Sequence, residues 1–527
     1  MPFNLILKNL ILTTFSFSCL GIIIPNYKFF KIRLNGIVWL VSLLFVVCML
    51  STFLFSGAPK DQQFWGTFGR GTGVLTYFSL LLVLISTAII QEKNFYVKLV
   101  YGLILTNIPL TFYAIVQTFG LDPIKWSLQD TFATLGNSNF LSAFMGISST
   151  AAFVLATNSR FSKKIRLGLF LLILTNQIII IDSGSIQGFM IFIAGIGVSG
   201  FFLLQNYTEK KTIRIGYYFA SFIGALLSIF GLFNKGPLAK IIFQPSVIYR
   251  SDYMHAAWEM TILRPLTGVG MDSYGDWYRK TRGVISTLRG IDRTSNTAHN
   301  IFLDISSNGG IPLFISYIAL IGLAVITSIK YLKRAEKIEI IFIAIFSSWI
   351  AYQLQAAISI NQIGVGIWGW LLTGALIGFN KSEVNKINSK PLAPSRKNVR
   401  KKNALPASTS LLVIAFAVIG FLLAFIPFKA DMDFKNALNS RSLNLMISSV
   451  NRLGTNSFLI SQVIQAAINN GYTAQARELD LKLIKSYPLE PYGWKILYYS
   501  TTSSEDEKLL AKTKLKEFDP YNPNNPK

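Results

Sequence analysis

The sequence predicts an all-α fold: a polytopic transmembrane helix bundle of about 12 spans, with a large extracytoplasmic loop and a small C-terminal helical-repeat domain. Three observations predict it: long charge-free apolar runs, basic loops that alternate between those runs, and a polar tail with helical spacing. Of 527 residues only 14% are charged, against roughly 25% in a soluble domain, and the mean hydropathy is +0.45.

A run of ~20 apolar residues crosses a bilayer as a helix. Charge-free runs place candidate spans at 9–26, 36–57, 73–91, 99–118, 139–158, 167–181, 187–205, 215–233, 311–329, 340–358, 363–380 and 409–428. Residues 340–380 contain no charge and are too long for one span, so they are split at the polar Ser359–Asn361 turn. The first run follows Lys8 without a trustworthy cleavage site at 18–30, and it is read as a membrane segment rather than a signal peptide.

The formal net charge is +25. Its placement argues against nucleic-acid binding, because about half of the basic residues sit in short gaps between apolar runs. These gaps hold Lys28, Lys31 and Arg33; Lys93 and Lys98; Arg160, Lys163, Lys164 and Arg166; Lys210, Lys211 and Arg214; and Lys330, Lys333, Arg334 and Lys337. The stretch 381–408 continues the series. By the positive-inside rule these segments face the cytoplasm. The other set then faces outward: 58–72, 119–138, 182–186, 234–310, 359–362 and everything after 429. The same parity puts the N-terminus outside. Cys19 and Cys48 each lie inside an apolar run and form no zinc or disulfide pattern.

Residues 1–428 are therefore expected to form the membrane domain, with the outer loop at 234–310 and the basic cytoplasmic loop at 381–408. Residues 429–527 are expected to form an outer helical domain. In that tail Ala474, Ala476, Leu479, Leu483 and Ile484 recur at helical spacing before Pro488 and Trp494. A second unit runs through Leu509, Leu510, Ala511, Leu515, Phe518 and Pro520. The two prolines are 32 residues apart, near the ~34-residue tetratricopeptide period. The other reading is a non-repeating helical cap. A repeat would offer a surface to a partner protein or to a growing glycan, and its removal is expected to spare the basic chemistry.

Both histidines of the chain, His255 and His299, fall in the loop 234–310. An imidazole near the membrane face can accept a proton near neutral pH. The loop also carries Arg250, Arg264, Arg279, Arg282, Arg289 and Arg293. Such a concentration runs against the positive-inside bias. An anionic ligand explains it, because the guanidinium fork matches phosphate oxygens; plain solubility is the alternative. Interleaved Tyr249, Tyr253, Trp258, Tyr274, Trp277 and Tyr278 fit either sugar stacking or a bilayer interface. The loop's acidic residues show no metal-ligand spacing.

These residues resemble the O-antigen ligase and O-antigen polymerase superfamily. Its order of Arg, Trp, Pro, Gly-x-Gly and His-Asn is matched by Arg250, Trp258, Pro265, Gly268-Val269-Gly270 and His299-Asn300. The hallmark of His-Asn followed by nine residues and Gly ends on Gly310, whereas the next expected glycine is Leu313 and an expected acidic residue is Asn308. Upstream, Phe64–Gly73 around Arg70 looks like the first outer loop. Gly136-Asn137-Ser138-Asn139 looks like a Gly-Asn-Pro-Asn motif, and Asp182-Ser183-Gly184-Ser185 sits where relatives show Ser-Arg-Gly. The likeness covers roughly residues 40–380.

The resemblance implies a class C, inverting glycosyltransferase using a glycan on undecaprenyl diphosphate at the outer face of the bacterial inner membrane. It implies a glycan, lipid or protein acceptor and no metal or other cofactor. Carried over, Arg250 with Arg70 would bind the donor diphosphate. His299 would act as base on the acceptor hydroxyl or orient it, and Asn300 would hold the imidazole or the substrate. Asn137, Asn139, Arg289 and Arg293 would complete the substrate-binding set. The competing class is a transporter or flippase for an anionic or lipid-linked saccharide, which would place ionisable groups near the middle of its spans.

Overall fold

The computed structural model describes residues 3–124, 126, 130–388 and 407–526, and among them every regular element is a helix. In chain order these are α1 (Phe3–Ile23), α2 (Tyr27–Arg33), α3 (Gly36–Phe55), α4 (Lys60–Trp65), α5 (Val74–Ile89), α6 (Lys93–Thr118), α7 (Ser138–Ala156), α8 (Lys163–Asp182), α9 (Gln187–Tyr207), α10 (Lys211–Leu232), α11 (Ala239–Ile242), α12 (Pro245–Leu263), α13 (Tyr274–Thr281), α14 (Val284–Arg289), α15 (Ile301–Leu332), α16 (Ile340–Ala356), α17 (Ile363–Asn388), α18 (Ala407–Asn439), α19 (Leu443–Val450), α20 (Ser457–Asn469), α21 (Thr473–Ser486), α22 (Pro491–Tyr499) and α23 (Glu505–Phe518).

All twelve predicted spans fall on helices: α1, α3, α5 to α10 and α15 to α18. Among the described residues nine helices are long and apolar enough to cross a membrane, and Val74–Ile89, Ile340–Ala356 and Ile363–Phe379 are shorter apolar helices. The chain is a multi-pass membrane protein. Its core is built by α5, α7, α16 and α17, with α1 and α18 paired at one flank. Helices in lipid associate through close backbone approach rather than hydrophobic contrast. Accordingly α7 meets α9 at Gly146 and Gly188, where a Cβ on Gly146 would lie 2.4 Å from the Gly188 carbonyl oxygen.

The predicted basic loop at 381–408 opens as a continuation of α17 to Asn388, and its residues 389–406 lie outside the described residues. The expected domain border at 428 falls inside α18, which runs on to Asn439. Beyond it, α20 packs on α21 and α22 on α23, with Pro488 and Pro520 following the second helix of each pair.

Contacts sort the loops into two ends. At one end, Gln91 donates to the Arg33 carbonyl, Lys93 pairs with Glu339 and Asn206 donates to the Ile338 carbonyl. At the other, Arg70 reaches Asn296 and Asp304, Gln362 reaches the Leu135 carbonyl and Asn300 reaches the Ala357 carbonyl. Lys8 and Asn9 at the start of α1 donate to Thr134 and Gly71 at this second end. The grouping is the one that the loop alternation predicts, N-terminus included.

The helix α15 is broken. Gly310 has φ +75 and ψ +176, and Pro312 follows. A break inside a helix leaves amide and carbonyl groups without partners, and buried backbone polar groups must be paired. The segment 265–270 pairs them: Val269 N donates to Ser307 O, Gly270 N to Asn308 O, and Ile311 N to Pro265 O. This approach explains the Gly-x-Gly motif, since a Cβ on Gly268 would meet the Asn308 backbone at 2.4 Å.

Candidate functional site

The site is built at the end of the bundle that carries α12 to α14 and the start of α15. Arg250 and Tyr253 lie on α12, and His299 immediately precedes the N-cap of α15. The His299 ring lies 5.1 Å from that of Tyr253. Its imidazole is half-buried and accepts or donates no hydrogen bond to protein among the described residues. Burial first, then the charges of Arg250 and Arg70, push the His299 pKa down to about 3. The ring is therefore neutral at ordinary pH, with a free lone pair.

The backbone of His299 is left-handed, with φ +52. Such a conformation costs about 1–3 kcal/mol and persists only where its surroundings over-determine it. Here Asp304 accepts from Thr297 Oγ1 at 2.5 Å and Ala298 N at 2.8 Å, and Thr297 Oγ1 accepts from His299 N. Asn300 then caps α15 by accepting from Leu303 N, and its amide donates to Ala357 O at 2.9 Å. The Asn300 side chain thus ties the start of α15 to the end of α16.

Arg250 is half-buried. Its Nη2 donates to Gln187 Oε1 at 3.3 Å, and among the described residues no carboxylate pairs with it. Burial lowers its pKa. A guanidinium held this way is a cation whose counter-charge is missing. Arg293 lies flat against the Tyr249 ring, 3.3 Å from its centroid, one residue along α12 from Arg250. Arg289 differs: it is part-exposed and pairs with both oxygens of Asp252 at 2.7 and 2.6 Å.

Arg70, expected to bind the donor diphosphate with Arg250, is buried between two carboxylates. Its side chain is 4% exposed and is flanked by Asp272 at 3.4 Å and Asp304 at 3.2 Å, which are 1% and 2% exposed. It also donates to Asn296 O at 2.5 Å. Burial pulls its pKa down, and the charges of Asp304 and Asp272 outweigh that and raise it. Asp272 in turn accepts from Thr67 N and Thr72 N, locking the first outer loop. Arg70 ties the first outer loop to the segment that carries His299.

Asn137 is exposed and caps α7 by accepting from Asn139 N. Asn139 accepts from Ser185 Oγ, which also meets Ser142. Asn139 thus joins the 136–139 turn to the 182–186 turn, beside Gln187 and so near Arg250. His255 is exposed on α12 two residues beyond Tyr253, roughly 200° around the helix from it. The two histidines belong to different surfaces. Asn308, standing where the family shows an acidic residue, accepts from Ser273 N and Tyr274 N and so caps α13.

Sequence reasoning missed Asp272, Asp304 and Gln187 as partners, because each lies more than sixty residues from the arginine it meets. Among the described residues no three His, Cys, Asp or Glu side chains form a metal-binding group.

The structure is that of a multi-pass helical bundle that gathers an imidazole and two guanidinium groups without a carboxylate partner, among the described residues, at one end. Residues 167–318, from α8 through the break in α15, match the family model described as O-antigen ligase. The match makes this region similar to the O-antigen ligase family and supports O-antigen-ligase-like glycan transfer in general. It contains Arg250, Arg293 and His299. No curated protein matches the chain.

Proposed function

We propose that this protein transfers a glycan from undecaprenyl diphosphate to an acceptor hydroxyl at the outer face of the bacterial inner membrane, with inversion and without a metal. The observation that carries the reading is the half-buried Arg250, lacking a carboxylate, beside a neutral His299 with a free lone pair.

Arg250 and Arg293 hold the donor's diphosphate. The acceptor oxygen attacks the anomeric carbon as the carbon–oxygen bond to the diphosphate breaks. The hydroxyl proton passes to His299, and the guanidinium groups take up the charge on the departing diphosphate. Free His299 is a weak base because two arginines hold its pKa down. A bound diphosphate offsets those charges and raises it, so the base strengthens when the donor arrives. Tyr253 and Tyr249 border the position a sugar ring would take. Asn137 and Asn139 act by holding the neighbouring turn.

The five short basic loops lie at the opposite end of the bundle, which supports an outward-facing site by the positive-inside rule. We read the paired tail helices as tetratricopeptide-like, and their free surface as suited to a partner protein or the growing glycan. The test is transfer from a defined undecaprenyl-diphosphate glycan to a panel of acceptors in the presence of a chelator. Normal turnover by both His299→Ala and Arg250→Ala would remove the assignment.

A further inference from the structure

The tail returns to the site loop through one buried ion pair. Arg282, at the end of α13, has a side chain that is 0% exposed. Its Nε and Nη2 donate to Asp519 Oδ1 at 3.2 and 2.8 Å, and Nη2 also donates to Asp519 Oδ2 at 2.7 Å. The rest of the fork faces the site: Nη1 donates to Gly290 O at 3.2 Å and Arg293 O at 3.1 Å, and Nη2 to Ile291 O at 2.9 Å. One guanidinium therefore joins a carboxylate at the end of α23 to three carbonyls of a segment that has no helix of its own.

That segment carries Arg293 and leads to His299. Around the pair, Arg279 also approaches Asp519, Lys280 meets Glu517 at 3.0 Å, and Leu489 packs against the loop cluster of Tyr274, Trp277 and Tyr278. Burying a guanidinium is costly unless its charge and its donors are all met. Without Asp519 the charge on Arg282 has no close carboxylate, and the 290–293 backbone loses the reason for its course.

We propose that Asp519 is a positioning residue of the transfer site: acting through Arg282, it fixes the 290–293 segment and hence Arg293. The tail is then a structural part of the site as well as a surface for partners. The kinetic half of this inference rests on the proposed function; the structural half does not.

The test uses the full chain in nanodiscs. Asp519→Asn should raise the KM for the lipid-linked donor by about 10- to 100-fold, as displaced binding groups do, while kcat changes far less. Trypsin should cut faster after Arg289 and Arg293. Asp519→Glu should recover part of both. Arg282→Lys keeps the charge but loses the fork and should behave like Asp519→Asn, which keeps the idea testable if one variant fails to fold. Glu517→Gln removes only a part-exposed partner and should change neither readout. Unchanged KM and unchanged cleavage in Asp519→Asn and Arg282→Lys would overturn the proposal. If both His299→Ala and Arg250→Ala keep normal turnover while cleavage still accelerates in Asp519→Asn, the site assignment fails and the coupling of tail to loop stands.

Discussion

Arg70 and Arg250 stand at the same end of the bundle, and both act on the charge of His299, yet their surroundings are opposite. Arg70 is enclosed by Asp272, Asp304 and the Asn296 carbonyl, so its charge is met inside the protein. Arg250 has one amide partner and no carboxylate among the described residues. The difference teaches that a conspicuous arginine in an outer loop is of two kinds. One fixes backbone, and the other keeps its charge without a carboxylate among the described residues.

The largest expected effect breaks the first kind. Arg70→Ala strands two buried carboxylates, and loss of one member of a buried pair costs about 3–5 kcal/mol. We expect a large fall in melting temperature in detergent. Arg250→Ala should leave melting nearly unchanged while abolishing transfer. Equal destabilisation by the two would erase the distinction.

His299→Ala should lower turnover by about 10²–10⁴-fold, again at unchanged melting temperature. Arg250→Lys comes next: a point charge replaces a fork, and most of the transfer should be lost if two diphosphate oxygens are held at once. Full activity would show that charge alone suffices.

The pH dependence is a smaller effect with a defined sign. His299 has a folded pKa of about 3 against an ordinary 6.5. Between these values the unfolded chain takes up a proton that the folded chain refuses, so stability falls as pH drops from 6.5 towards 3. For the same reason kcat/KM should not fall on the acid side near pH 6.5. An acid limb centred there that His299→Ala removes would show that burial and the two arginines do not hold the ring neutral. The smallest effect is at the part-exposed pair of Arg289 and Asp252. Arg289→Ala should shift stability by at most about 1 kcal/mol, with transfer largely kept.

Much of the fold was legible because a bilayer makes it so. Hydropathy alone put every candidate span on a helix, including the split at Ser359–Asn361 between α16 and α17. Loop charge sorted the two ends. The motif residues Arg250 and His299 were legible as candidates from residue type and order. The motif around Arg70 was visible, but its partners Asp272 and Asp304 were not, since they lie more than two hundred residues away. The capping role of Asn300 was not read either, although an asparagine before a helix commonly serves as a cap. Nothing in the tail marked Asp519 as the partner of Arg282, because one carboxylate after a helix has no local signature.

The sequence by itself determined which segments cross the membrane, which loops share an end and which loop carries the imidazole. These follow from transfer of single side chains between water and lipid, a property each residue brings with it. Only the tertiary structure decided which arginines are free. Pairing depends on what the fold brings within about 4 Å, and neither composition nor spacing carries that distance.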